Sequence, residues 1–272
     1  MAVLILVSTG CESPPVEESV PETIIQLQPK LITVSHPDDI ETLSDSVISA
    51  FLYSNIRGLD SLPLDQKKMK FVSALLPAIL VAKDKLYHQK KKFETLLTKK
   101  VWESKDSVFF HKLAVNYKTS DTTAILRGLE THPNSIVLAQ AAIESGWGNS
   151  RIFGEGNNLF GIWSYNSHEP RIPARIQRDG QTIYLRKYAD ISESISDYFR
   201  TLGRSRHYAK LRRARSQSSD VEKLIPHLIN YSERKEAYIN QLRTMIRYNQ
   251  LKQYDHYRLD SGFYVSVAVQ EE

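Results

Sequence analysis

The chain has 272 residues, of which 41% are hydrophobic, 10% aromatic and 25% charged, enough apolar side chain to bury the core of one large domain or two small ones. Eleven glycines and eleven prolines exclude a collagen-like or low-complexity chain, and a lone cysteine, Cys11, excludes internal disulfides and multi-cysteine metal sites. A formal net charge of +5 favours an anionic partner and leaves nucleic acid, a membrane surface and a wall polymer open.

The apolar run Ala2–Val7 is far shorter than the roughly 20 residues that cross a bilayer. With Ser8-Thr9-Gly10-Cys11 behind it, the run reads as the end of a secretory signal. The Ser-Thr-Gly-Cys string also resembles a bacterial lipoprotein box, so membrane attachment through a lipidated Cys11 is one expectation. A frayed apolar terminus with an incidental cysteine is the other. From Glu12 to about Pro37 the sequence is acidic and broken by Pro14, Pro15, Pro21 and Pro29, which suits a disordered or extended tether. Residues 1–37 are therefore set apart as leader and tether.

Residues 38–129 read as a helical region. Ile40, Leu43, Val47, Ile48, Phe51 and Leu52 recur at helical spacing between Asp38 and Arg57. A second helix begins near Asp65 with Met69, Val72, Leu75, Leu76 and Ile79 on one face, and Pro77 is expected to kink or divide it. The lysines between Lys83 and Lys100 fit a solvated helix face, and Thr119–Leu129 is expected to be helical.

Pro133-Asn134-Ser135 then starts a helix, apolar almost all round, that Gly146 ends. Its surroundings should be dry. Gln140 and Glu144 share one face, four residues apart. Gln140 fits a satisfied core amide. A buried Glu144 is costly without a cation, and both desolvation and the negative end of the helix dipole push its pKa up. That is what glycosidic cleavage asks of a general acid, and lysozyme's acid is likewise a Glu in an apolar site beside a Trp. Trp147 stands three residues beyond Glu144. A structural glutamate bonded to backbone amides is the alternative.

The loop from Ser145 to Trp163 is dense in Gly, Asn and aromatic residues, types that can line a site for a polyhydroxylated ligand. Alternation from Pro170 to Tyr188 about Asp179-Gly180 predicts a β-hairpin. Helices are expected at Ser192–Leu202, Tyr208–Arg215, Val221–Ile229 and Glu233 to about Lys252, leaving 254–272 as a tail.

Ala139-Gln140-Ala141-Ala142-Ile143-Glu144-Ser145-Gly146-Trp147-Gly148, followed by Glu155-Gly156-Asn157-Asn158-Leu159-Phe160-Gly161-Ile162, resembles the signature of bacterial peptidoglycan β-N-acetylglucosaminidases, the mannosyl-glycoprotein endo-β-N-acetylglucosaminidase-like family. Ser194-Ile195-Ser196-Asp197-Tyr198 and the Tyr231–Ile239 stretch are similar to later blocks of that family, in the same order. The helical region before them resembles its Bax subgroup. The resemblance implies a mainly α, lysozyme-like α+β domain over residues 130–253, with a small β-hairpin lobe beside a groove. It implies a peptidoglycan hydrolase cutting the β-1,4 bond between N-acetylglucosamine and N-acetylmuramic acid in the periplasm or cell envelope. By position, Glu144 would be the general acid and Tyr198 the tyrosine close to it. Trp147, Asn157, Asn158, Phe160, Gly161 and Trp163 would shape the groove. Core packing is the alternative for Phe160 and Trp163, and a helix-face tyrosine for Tyr198. Neither a metal nor an organic cofactor is expected.

The sequence departs from the family in one respect. The β-lobe stretch Arg171–Gly180 has no Glu matching the family's second carboxylate; of the nearby acids, Asp179 suits the turn and Glu169 a solvated loop. An inverting route with another base and a route assisted by the substrate's N-acetyl group both stay open. The basic run Arg200, Arg204, Arg206, Lys210, Arg212, Arg213 and Arg215 suits an anionic wall polymer better than nucleic acid, since no nucleic-acid module accompanies it. An inactive wall-binding module is the other competing reading.

Overall fold

The computed structural model describes residues 23–178 and 180–268; the leader with Cys11, and Asp179, lie outside them. The chain enters through strands β1 (Thr23–Leu27) and β2 (Lys30–Thr33), a 3-10 turn at Pro37–Asp39, and strands β3 (Val47–Ile48) and β4 (Phe51–Ser54). Strand β2 runs parallel to β4, from Lys30↔Phe51 to Thr33↔Ser54. Two expectations are corrected here. Residues 23–27 and 30–33 are paired strands rather than a free tether, and Asp38–Arg57 is not a helix. The spacing of Ile40, Leu43 and Val47 mimics a helical face, but Val47-Ile48 and Phe51-Leu52-Tyr53 are short runs rich in β-branched and aromatic residues that, as strands, bury Ile48, Leu52 and Tyr53.

Helix α1 (Leu64–Thr98) follows, about 52 Å long at the usual rise per residue. Pro77 does not divide it: Phe71, Val72, Leu75, Leu76, Ala78 and Ile79 are buried on either side, and that packing holds the helix through the missing N–H. Its lysines are not all solvated, because Lys83 Nζ reaches the Asn134 Oδ1 atom at 2.7 Å. Helices α2 (Ser104–Tyr117), α3 (Thr122–Leu129), α4 (Asn134–Ser145) and α5 (Arg151–Gly156) come next.

The hairpin lobe consists of β5 (Trp163–Ser164), β6 (Arg171–Arg178) and β7 (Gln181–Arg186), in the order β5-β7-β6. Helices α6 (Ile191–Arg204), α7 (Ala209–Arg215), α8 (Val221–Leu224) and α9 (Glu236–Tyr248) complete the helical body. Pro226 turns the end of the expected Val221–Ile229 helix into a 3-10 segment, Ile225–Leu228. Beyond α9 a 3-10 segment (Leu251–His256) leads to β8 (Arg258–Leu259) and β9 (Tyr264–Ala268). These are not a loose tail: β8 pairs in parallel with β3, and β9 antiparallel with β1.

The result is a mainly α fold with a small β-lobe. One continuous core runs from Val34 to Leu251, so it does not stop at the boundary near residue 130. Phe71 of α1 meets Trp147 and Phe153 edge-on, with ring centroids 5.5 and 6.3 Å apart. No helix among the described residues is long and apolar enough to cross a membrane.

Candidate active site

Helix α4 is buried along most of its length, with Ile136, Val137, Leu138, Ala139, Ala141 and Ala142 in the core. Pro133 supplies no side-chain cap at its start. Asp255, from the 3-10 segment near the end of the chain, does so instead: its carboxylate accepts from Ser135 N at 2.7 Å and from Ser135 Oγ at 2.8 Å. At the other end Gly146, Trp147 and Gly148 all have left-handed backbones, with φ of 60°, 58° and 85°. A side chain at Gly148 would also press on Leu59 Cδ1 at 3.0 Å. Ser145 braces the turn by donating to Ala141 O and accepting from Gly148 N.

This turn swings the chain away just past Glu144, so that Glu144 is exposed rather than buried as the apolar helix suggests. Protein crowded around its carboxyl nonetheless strips water from the charged form and raises its pKa above the ordinary Glu value. The neighbouring Tyr238 hydroxyl, as a donor to the charged form, and the charge of Arg234 pull the other way. Trp147 is half-buried beside it, with Lys68 Nζ 5.4 Å from its ring and 5.3 Å from the ring of exposed Tyr248.

Behind Glu144 lies a tyrosine cluster. Tyr231 stacks on Tyr238 at 5.5 Å and meets Tyr198 edge-on at 6.2 Å. Burial pushes all three hydroxyls above their ordinary pKa, so they stay protonated donors at neutral pH. Tyr238 accepts from Gln140 Nε2 at 3.0 Å, Tyr198 donates to Gln140 Oε1 at 2.5 Å, and His132 Nε2 lies 2.9 Å from the Tyr198 oxygen. Tyr198 is fully buried and reaches Glu144 through Gln140 and Tyr238, not directly. It is a support, not a group in reach of a ligand.

Phe160 is buried and stacked on Tyr198 at 4.3 Å, which is core packing rather than groove wall. Asn157 Nδ2 donates to the carbonyls of Tyr188 and Ala189; Asn158 Nδ2 donates to those of Ile162 and Arg186, while its Oδ1 accepts from Ile162 N. Both amides are thus committed to holding the loop against the β-lobe. Gly161 takes the left-handed conformation that this loop needs, with φ of 61°. Trp163 is 38% exposed on β5, and its neighbour Tyr165, 84% exposed with its ring 6.2 Å away, extends the same aromatic surface. Glu144, Trp147, Trp163 and Tyr165 therefore have side chains open to solvent, whereas Tyr198, Phe160 and Asn158 are behind the surface.

Glu169 is not a solvated loop residue, because its carboxylate pairs with Arg186 Nε at 3.3 Å. Arg186 also reaches the fully buried Asp197 at 2.8 Å, and Tyr188 and Arg200 bond the same carboxylate. This network fixes β7 to α6. The basic run is likewise partly structural. Arg212 donates to the carbonyls of Leu202 and Ser205, and the buried Arg215 donates to those of Arg127 and Gly128.

The sequence assigns no site role to Tyr238, His132 or Tyr165. The first two act through partners 98 and 66 residues away, so no local spacing could mark them.

Residues 123–251 match the family described as mannosyl-glycoprotein endo-beta-N-acetylglucosaminidase. Protein bax of Escherichia coli K12 is 28% identical over 145 residues, 51% of each chain. Peptidoglycan hydrolase FlgJ of the same strain is 31% identical over 103 residues, 34% of this chain and 33% of that protein. This chain thus spans about half the length of the first relative and about a third of the second. The solved glycoside hydrolase domain of Salmonella typhimurium FlgJ is 26% identical, covering 53% of this chain and 90% of that domain, with a TM-score of 0.37.

Proposed function

Because this chain belongs, through residues 123–251, to the mannosyl-glycoprotein endo-β-N-acetylglucosaminidase family, we propose that it is a peptidoglycan hydrolase of the cell envelope that cuts the β-1,4 bond between N-acetylglucosamine and N-acetylmuramic acid. The observation that carries the reading is the setting of Glu144. It is open to solvent at the end of a buried helix, flanked by Trp147, and its carboxyl is held above the ordinary Glu pKa. A protonated Glu144 would deliver its proton to the departing glycosidic oxygen. Trp163 and Tyr165 would offer ring faces to the sugars, and the positive charge of the chain favours an anionic wall polymer.

With Glu169 tied to Arg186, a described β-lobe carboxylate is not at hand to activate water. The substrate's own N-acetyl oxygen would instead attack the anomeric carbon as the departing glycosidic oxygen takes the Glu144 proton. The ionised Glu144 would then take a proton from the water that opens the resulting oxazolinium ring, and two displacements leave the released sugar with its anomeric configuration kept. The test is release of new reducing ends from purified peptidoglycan, with NMR of the first product formed. The intact protein should release reducing N-acetylglucosamine as the β-anomer, and Glu144→Gln should lower the rate by at least about a hundredfold, the scale of general-acid catalysis. Reducing N-acetylmuramic acid would overturn the bond assignment, and an α-anomer the N-acetyl route. Wall binding without release of either sugar would leave a binding module.

A further inference from the structure

We propose that Gln140 is a positioning residue for Glu144: its amide fixes the direction of a buried hydrogen-bond chain, His132–Tyr198–Gln140–Tyr238, that aims the hydroxyl hydrogen of Tyr238 at the Glu144 carboxylate. This rests on the reading of Glu144 as the catalytic acid. When Glu144 is ionised, every link has one direction. An ionised carboxylate only accepts, so the Tyr238 hydroxyl beside it can only donate towards Glu144. The Tyr238 oxygen then accepts Gln140 Nε2–H at 3.0 Å, which leaves Gln140 Oε1 to accept from Tyr198 at 2.5 Å. The Tyr198 oxygen accepts in turn from His132 Nε2 at 2.9 Å. His132 is neutral, because burial, helped by the charges of Arg215 and Lys83, holds its pKa well below the usual value. Its single ring hydrogen must therefore be on Nε2, and its buried Nδ1 has no hydrogen-bond partner.

An amide suits the centre of such a chain because it has a donor at one end and an acceptor at the other. It converts the fixed hydrogen of His132 into a fixed hydrogen on Tyr238. A carboxylate at position 140 would accept from both tyrosines and turn the Tyr238 hydrogen away from Glu144. The chain opposes the desolvation of Glu144, so that the acid keeps a proton to give without holding it too tightly. Arg234 and the Tyr231 hydroxyl also act electrostatically on Glu144, and substitutions in the chain leave both in place.

The test reads the titration of Glu144 by NMR with carboxyl-labelled glutamate in the whole chain, beside the pH profile of glycan cleavage. Tyr238→Phe and Gln140→Met should each raise the Glu144 midpoint by about one unit, the scale of a hydrogen bond to a charged group. The double variant should go no further, and Gln140→Glu should raise it at least as much. Tyr198→Phe keeps its ring stacking and frees the amide to turn, so it should shift the midpoint the same way even if Gln140 variants fold poorly. The alkaline limb of kcat/KM should follow each shift. A midpoint that moves in Tyr238→Phe but stays put in both Gln140→Met and Tyr198→Phe would overturn the proposal. A chain that shifts as expected in a protein releasing no reducing ends would instead refute the hydrolase reading and leave the hydrogen-bond chain standing.

Discussion

Lys83 shows how a single residue can read one way in sequence and behave another way in the fold. In a lysine-rich helix it looks like one more solvated cation, yet its ammonium is enclosed where α1, the start of α4 and the segment near Tyr254 converge. Burial lowers its pKa to about 8, with Asp255 opposing the shift. The folded protein therefore binds fewer protons at this site than the unfolded chain between pH 8 and 10.5, and the penalty of the buried charge fades as pH rises through that window. Unfolding of wild type and Lys83→Met, compared by denaturant titration, should show the wild type gaining on the variant by up to about 3 kcal/mol from pH 8 to pH 10.5. Parallel curves would mean that the ammonium is solvated. The end of the helix at Gly146 was legible in the sequence because helix and cap are local, but the exposure of Glu144 was not, because it depends on the left-handed backbones of Trp147 and Gly148. The amides of Asn157 and Asn158 were not legible either, since they are held by the carbonyls of Arg186, Tyr188 and Ala189, 28 to 32 residues further on, and the same side chains would serve a sugar equally well.

Among the elements, α4 depends on a cap brought from far along the chain. Pro133 is well shaped for a helix start and offers no acceptor, so Asp255 closes the first turn over a separation of 120 residues. Asp255→Ala should cost about 1–2 kcal/mol in thermal or denaturant unfolding, while Asp255→Asn should recover part of it through the same amide oxygen. If α4 also moves, the alanine variant should lose cleavage rate at temperatures well below its melting point. Most helices and the β6–β7 hairpin could be read from periodicity and turn residues. The entry strands could not, because β1 and β3 are strands only by pairing with β9 and β8, more than 200 residues later. A two-residue strand has no periodicity of its own.

At the scale of the molecule, the family match begins at residue 123, but the core does not. Phe71 packs on Trp147 and Phe153 from outside the matched span, and Leu59 and Phe71 fill the space beside Gly148. A fragment of residues 123–251 should therefore lack a sharp melting transition by near-UV circular dichroism, whereas residues 23–268 should melt cooperatively. A cooperative fragment would mean that the helical region before it is a separate unit.

The pairing of β1 with β9 also decides how this protein answers to tension. The two strands are antiparallel with Thr23 opposite Ala268, so both ends of the described chain leave from the same end of the ribbon. A pull applied between these ends loads the five residue pairs one after another, from Thr23↔Ala268 towards Leu27↔Tyr264, and the ribbon opens like a zipper at low force. The parallel β2–β4 pair is loaded differently, because a pull that separates its strands lengthwise strains all its hydrogen bonds together. Under stretching, the ribbon would yield first, and the body that holds Glu144 would keep its shape after the ends had let go.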